Sequence, residues 1–111
     1  MLDQLDALLR EAARTRQPLT YQEAALLLEF AGPQTIHRLT ELLETLMRRH
    51  AATGIPQYSC FVVARGRGGL PAPGFFMLLG ELGLYRGSVD GDDAHAYIAA
   101  ERQRCFDHGA L

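Results

Sequence analysis

The chain has 111 residues, 48% of them apolar and 22% charged, with a formal net charge of −2. That length suits one domain with its own core; the composition argues against disorder, and the negative total argues against holding nucleic acid by bulk charge. No apolar run approaches the roughly 20 residues of a membrane span, and the first residues lack the basic start and apolar stretch of a secretion signal. The expectation is a cytoplasmic protein without a membrane partner, with Cys60 and Cys105 as free thiols.

Leu2, Leu5, Leu8, Leu9 and Ala12 recur at helical spacing and predict a first helix over residues 3–17, ended by Pro18. Asp3 and Asp6 open it and Arg14 and Arg16 close it, as the helix dipole favours. Thr20-Tyr21-Gln22-Glu23 is a capping box that starts a second helix, with Ala24, Ala25, Leu27 and Leu28 as its buried side. Ala31-Gly32-Pro33 breaks the chain. A third helix is expected over 34–52, where Ile36, Leu39, Leu43, Leu46 and Met47 form an apolar stripe and His37, Arg38, Glu41, Thr45 and Arg48 the opposite face. Residues 57–65 read as a strand because Tyr58, Phe61, Val62 and Val63 suit a pleated, half-buried surface. A Gly/Pro-rich loop covers 66–74. Residues 75–82 read as a short buried helix, with a returning strand as the alternative; a turn at 87–91 leads to a last helix, capped by Asp92 or Asp93, reaching about residue 105.

Charge is unevenly placed along this order. Residues 45–80 contain no Asp or Glu but hold Arg48, Arg49, Arg65 and Arg67, so that window is +4; the other seven arginines against thirteen acids leave −6 elsewhere. Such a patch points to an anionic partner at one place. A capped helix, a tight turn, a longer helix, a strand and a glycine loop make a helix-turn-helix followed by a wing. The fold expected is therefore α+β and mostly helical: one domain, with a helix-turn-helix over about 20–52, a strand and wing over about 57–74, and C-terminal helices over 75–108. In that arrangement Gln34, Thr35, His37 and Arg38 open the third helix and face bases, Gln and Arg being able to make two hydrogen bonds to one base edge. Arg65 and Arg67 contact phosphate from the wing.

Leu19-Thr20-Tyr21-Gln22-Glu23-Ala24-Ala25 resembles the opening of the winged-helix domain of alkylguanine-DNA alkyltransferases and alkyltransferase-like proteins. Gly32-Pro33 before the third helix, and Val62-Val63 followed by Gly68-Gly69, are similar to further features of that family, so the resemblance covers about 19–74. It implies a DNA-binding scaffold, with Arg38 placed like the family's helix arginine. The family's reactive Pro-Cys-His-Arg is absent: Tyr58-Ser59-Cys60-Phe61-Val62 stands there, without the His and Arg that activate the thiol. Alkyl transfer is not expected.

Other chemistries lack their patterns. No GxGxxG or P-loop occurs, His95, Cys105 and His108 have no zinc spacing, and Asp90, Asp92 and Asp93 lack the calcium-loop pattern and suit a turn and helix cap. No nucleophile, base and orienter come together, so neither a cofactor nor catalysis is expected. The functional expectation is a bacterial, non-catalytic protein that binds double-stranded DNA in a regulatory or lesion-recognition role. The alternative is the same fold used to bind a protein partner or to form a homodimer, which the acidic total and the third-helix glutamates favour.

Overall fold

A computed structural model describes residues 1–110. Its elements are α1 (Leu2–Thr15), β1 (Leu19–Thr20), α2 (Tyr21–Leu27), α3 (Thr35–Thr53), a 3-10 turn (Tyr58–Phe61), β2 (Val62–Val63), α4 (Pro73–Glu81) and α5 (Gly91–Gly109). The described residues are thus mostly helical, with one small two-stranded sheet. Among the described residues, no helix is long and apolar enough to cross a membrane.

α1 buries Leu5, Leu9 and Ala12 of the expected stripe together with Ala13, while Leu2 and Leu8 are partly buried. It stops at a left-handed Arg16, where the Gln17 N–H donates to the Ala12 carbonyl at 3.0 Å before Pro18. The capping box of α2 forms: the Glu23 N–H donates to Thr20 Oγ1 at 3.1 Å and the Thr20 N–H to Glu23 Oε1 at 3.0 Å. α2 is short, however, and buries only Ala24 and Ala25. Leu27, expected on its inner side, is 59% exposed, because the helix ends there and the chain turns away through a left-handed Glu29.

α3 buries Leu39, Leu43, Leu46, Met47 and His50. Ile36, expected in this stripe, is exposed, since it precedes the part of the helix that other elements cover. The left-handed Gly54 closes α3.

The largest correction concerns residues 57–65. Tyr58–Phe61 is a 3-10 turn, and only Val62 and Val63 are extended. Pro56 offers no N–H, and Gln57 is pinned at both ends: its backbone N–H donates to Glu101 Oε2 at 2.7 Å and its side-chain amide to the Met47 carbonyl at 2.9 Å. Tyr58, Ser59, Cys60 and Phe61 are all buried, and the turn packs against α1, α3 and α5. β-favouring side chains met helices instead of strands, so tertiary packing overrode their preference.

β2 pairs with β1 in parallel, Leu19 opposite Val62 and Thr20 opposite Val63. No returning strand completes a hairpin; α4 occupies the position, as the helical reading of 75–82 expected. The glycine loop closes on itself, with the Ala64 N–H donating to the Leu70 carbonyl at 2.9 Å. Gly66, Gly68 and Gly69 have positive φ, which other residues adopt only with strain. α4 buries Phe75, Phe76, Leu78 and Leu79. α5 runs further than expected in both directions and buries Ala94, Ile98, Glu101 and Cys105. The Glu101 carboxylate is compensated by the Gln57 N–H and by Arg104 Nη1, at 2.7 Å each.

Candidate functional site

The acid-free window of the sequence is not acid-free in space. Arg48 meets Glu81, the residue just past the window at the end of α4, and Arg49 meets Asp3 of α1, each at 3.2 Å. Arg65 lies close enough to Glu23 that its charge helps hold that carboxyl below its usual range, after the larger contributions of the Thr20 backbone and side chain.

The six residues expected to face nucleic acid divide sharply. Gln34 is exposed at the N-cap of α3, in a left-handed conformation, with no capping hydrogen bond from its side chain. The Thr35 hydroxyl donates to the Gly32 carbonyl at 2.7 Å. His37 pairs with Glu41 at 2.8 Å, both about two-thirds exposed (68% and 66%). Arg38 donates from Nη1 to the Ala31 carbonyl at 3.1 Å and lies 4.8 Å from the Phe30 ring centroid. Thr35 and Arg38 therefore hold the turn before α3 in shape.

Arg65 and Arg67 differ more. Arg65 is exposed and, among the described residues, forms no ion pair. Arg67, expected to reach outward with it, is half-buried and folded back. Its Nε donates to the Pro71 carbonyl at 2.9 Å and its Nη2 to the Val89 carbonyl. Arg102 holds the same loop from α5, donating to the Cys60 and Gly69 carbonyls at 3.1 and 3.2 Å. The Tyr21 hydroxyl accepts the Ala72 N–H at 3.1 Å at the loop's far end. The loop is thus clamped at several points while Arg65 projects from it.

Cys60 is fully buried, and burial raises its thiol well above the usual range, with the neighbouring Cys105 adding to the effect. Burial of this kind disfavours the thiolate, the nucleophilic form of a cysteine. Among the described residues, no group of three or more His, Cys, Asp or Glu is arranged to hold a metal ion.

Sequence reasoning missed two arrangements. One is a partly buried polar set: His50 Nε2 lies 3.2 Å from Asp6 Oδ1, and the Tyr58 hydroxyl lies 2.7 Å from His108 Nδ1. The other is the convergence of Arg10, Arg14 and Arg16 beside Tyr58 and Phe106. The spacing of Arg10 and Arg14 puts them on one helix face, but nothing in the sequence brings α5 beside them. Comparison with protein families, with curated proteins and with solved structures gave no match to this chain, so its function is argued from these residues alone.

Proposed function

We propose that the chain is a non-catalytic DNA-binding protein of helix-turn-helix character, in which Arg65 contacts phosphate and Gln34 and the first turn of α3 meet the duplex. The observation that carries this is Arg65 itself. It stands exposed and without an ion pair among the described residues, at the start of a loop whose other half is clamped by Arg67, Arg102 and Tyr21. Elsewhere Arg38, Arg48, Arg49, Arg67 and Arg102 are engaged within the fold. An arginine held out on a braced loop keeps all its donors for a phosphate. Regulation or lesion recognition is the role such a contact would serve.

Anisotropy of a labelled duplex at two salt concentrations tests the proposal. Binding should weaken as salt rises, and Arg65→Ala should lower the slope of log affinity against log salt by about one. Absence of binding at low salt overturns it.

A second reading, protein–protein association through α2, is supported by the exposure of Leu26 and Leu27, 77% and 59%. Leu27 borders a shallow cleft of about 370 Å³ shared with Leu8 of α1. Adjacent exposed leucines of this kind mark contact surfaces. Sedimentation of the chain alone decides whether that surface joins two copies: a concentration-dependent mass abolished by Leu26→Glu supports it, and a strict monomer removes the homodimer.

A further inference from the structure

Between the C-terminal ends of α1 and α5 lies an open groove of about 450 Å³, within the size range of small-molecule sites. Arg10, Arg14 and Arg16 line it together with Ala13, Tyr58 and Phe106, and no carboxylate side chain is among its lining residues. The Arg10 guanidinium lies 4.7 Å from the Tyr58 ring centroid and that of Arg16 lies 4.0 Å from the Phe106 centroid. A guanidinium stacked on a ring keeps its in-plane N–H donors and its outer face free.

The rings are held in turn. The Tyr58 hydroxyl meets His108 Nδ1 at 2.7 Å and the Cys105 carbonyl at 3.3 Å, and Phe106 packs on Phe61 with centroids 5.9 Å apart. The three arginines are not equivalent. Arg14 is closed on Glu11 by two donors. Arg10 uses only Nε, on Asp6 at 3.1 Å, and Arg16 forms no ion pair among the described residues. Arg10 and Arg16 therefore combine free donors with fixed planes.

We propose that this groove binds a small organic anion. Its carboxylate or phosphate head is held by the in-plane donors of Arg10 and Arg16, and its flat apolar body lies against Ala13 and the stacked guanidinium faces. Seating the guanidinium groups over buried or packed rings beforehand lowers the ordering cost of binding, and none of the described lining residues brings a carboxylate side chain. The site is separate from Arg65, which does not line it.

Amide spectra of the full chain, titrated with phenyl phosphate, benzoate and benzyl alcohol, test this. Either anion should shift the Gly109 and Ala110 amides saturably, with a dissociation constant of about 1 mM or tighter. The stronger of the two identifies the head group. Arg16 is exposed, so Arg16→Gln should leave the remaining spectrum in place while weakening the anion about tenfold. Arg65→Ala should bind the anion unchanged, which keeps the result independent of DNA binding. The proposal is overturned if neither anion saturates by about 10 mM, if Arg16→Gln binds equally well, or if the uncharged alcohol binds as well as the anions.

Discussion

The 3-10 turn Tyr58–Phe61 and the loop that follows β2 are adjacent in the chain and both irregular, yet they sit in opposite environments. The turn is buried among α1, α3 and α5, and its entry is held by Glu101 and the Met47 carbonyl. The loop's glycine-rich first half lies at the surface, clamped from behind by Arg67 and Arg102, with Arg65 left outside, while Leu70 and Pro71 anchor its second half in the interior. Irregular backbone is stable in the interior only when its polar groups find partners other than water. The turn meets that condition at its entry through the buried Glu101 carboxylate and beyond it through local backbone bonds, the Tyr58 N–H donating to the Pro56 carbonyl and the Cys60 N–H to the Gln57 carbonyl. The loop meets it through arginines, which reach carbonyls while keeping part of the side chain at the surface.

The contrast ranks the substitutions that would break it. Glu101→Ala should have the largest effect, because it leaves the buried Gln57 N–H without an acceptor. A loss of about 3 kcal/mol in denaturant unfolding is expected. If the loss is as small as that of Arg104→Ala, whose side chain is 60% exposed, then Glu101 does not anchor the turn.

Arg67→Ala should cost about 1 kcal/mol, since it frees two partly buried carbonyls, Pro71 in the loop and Val89 before α5, rather than groups in the core. A substitution as harmless as Arg65→Ala would show that the loop needs no clamp.

His50 gives the turn a pH dependence. It stacks edge-on to Tyr58 with centroids 5.8 Å apart, and burial lowers its pKa, against a smaller upward pull from Asp6. A base with a depressed folded pKa takes up its proton more readily when unfolded. Stability is therefore fully present above the ordinary imidazole value of about 6.5 and declines as pH falls below it. Melting temperatures at about pH 7.5 and about pH 5.5 should differ, and the difference should shrink in His50→Gln. An equal difference in that variant would assign it to other groups.

Arg65→Ala should be the smallest in stability, within about 0.5 kcal/mol, because the side chain is exposed and forms no ion pair among the described residues. Its expected effect is on DNA affinity alone. A destabilised Arg65→Ala variant would make this residue part of the clamp and remove the main support for DNA binding.

Much of the architecture was legible along the chain. The core of the α1 stripe, the capping box of α2 and the buried leucines of α3 all follow from spacing and local chemistry. Those signals involve residues within a few positions of one another. After the glycine loop, spacing leaves helix and returning strand open, and α4 settles the choice. The 3-10 turn that replaces most of the strand expected over 57–65 was not legible, because Tyr58, Phe61, Val62 and Val63 suit a sheet and a helical core equally well, and only their neighbours decide which. The candidate site was half legible. The chain shows that Arg65 and Arg67 leave an apolar segment on a flexible loop. It does not show that Arg67 turns inward to Val89 while Arg65 stays out, nor that Glu81 and Asp3 neutralise the neighbouring arginines. The sequence by itself determined most of the helices, the capping box of α2 and the single region poor in acids, since these depend on short-range pattern and composition; α5 instead starts from Asp90 without a side-chain cap, not from Asp92 or Asp93. Only the tertiary structure decided which arginines remain available, because a guanidinium's partner is whatever carbonyl, ring or carboxylate the packing brings within reach.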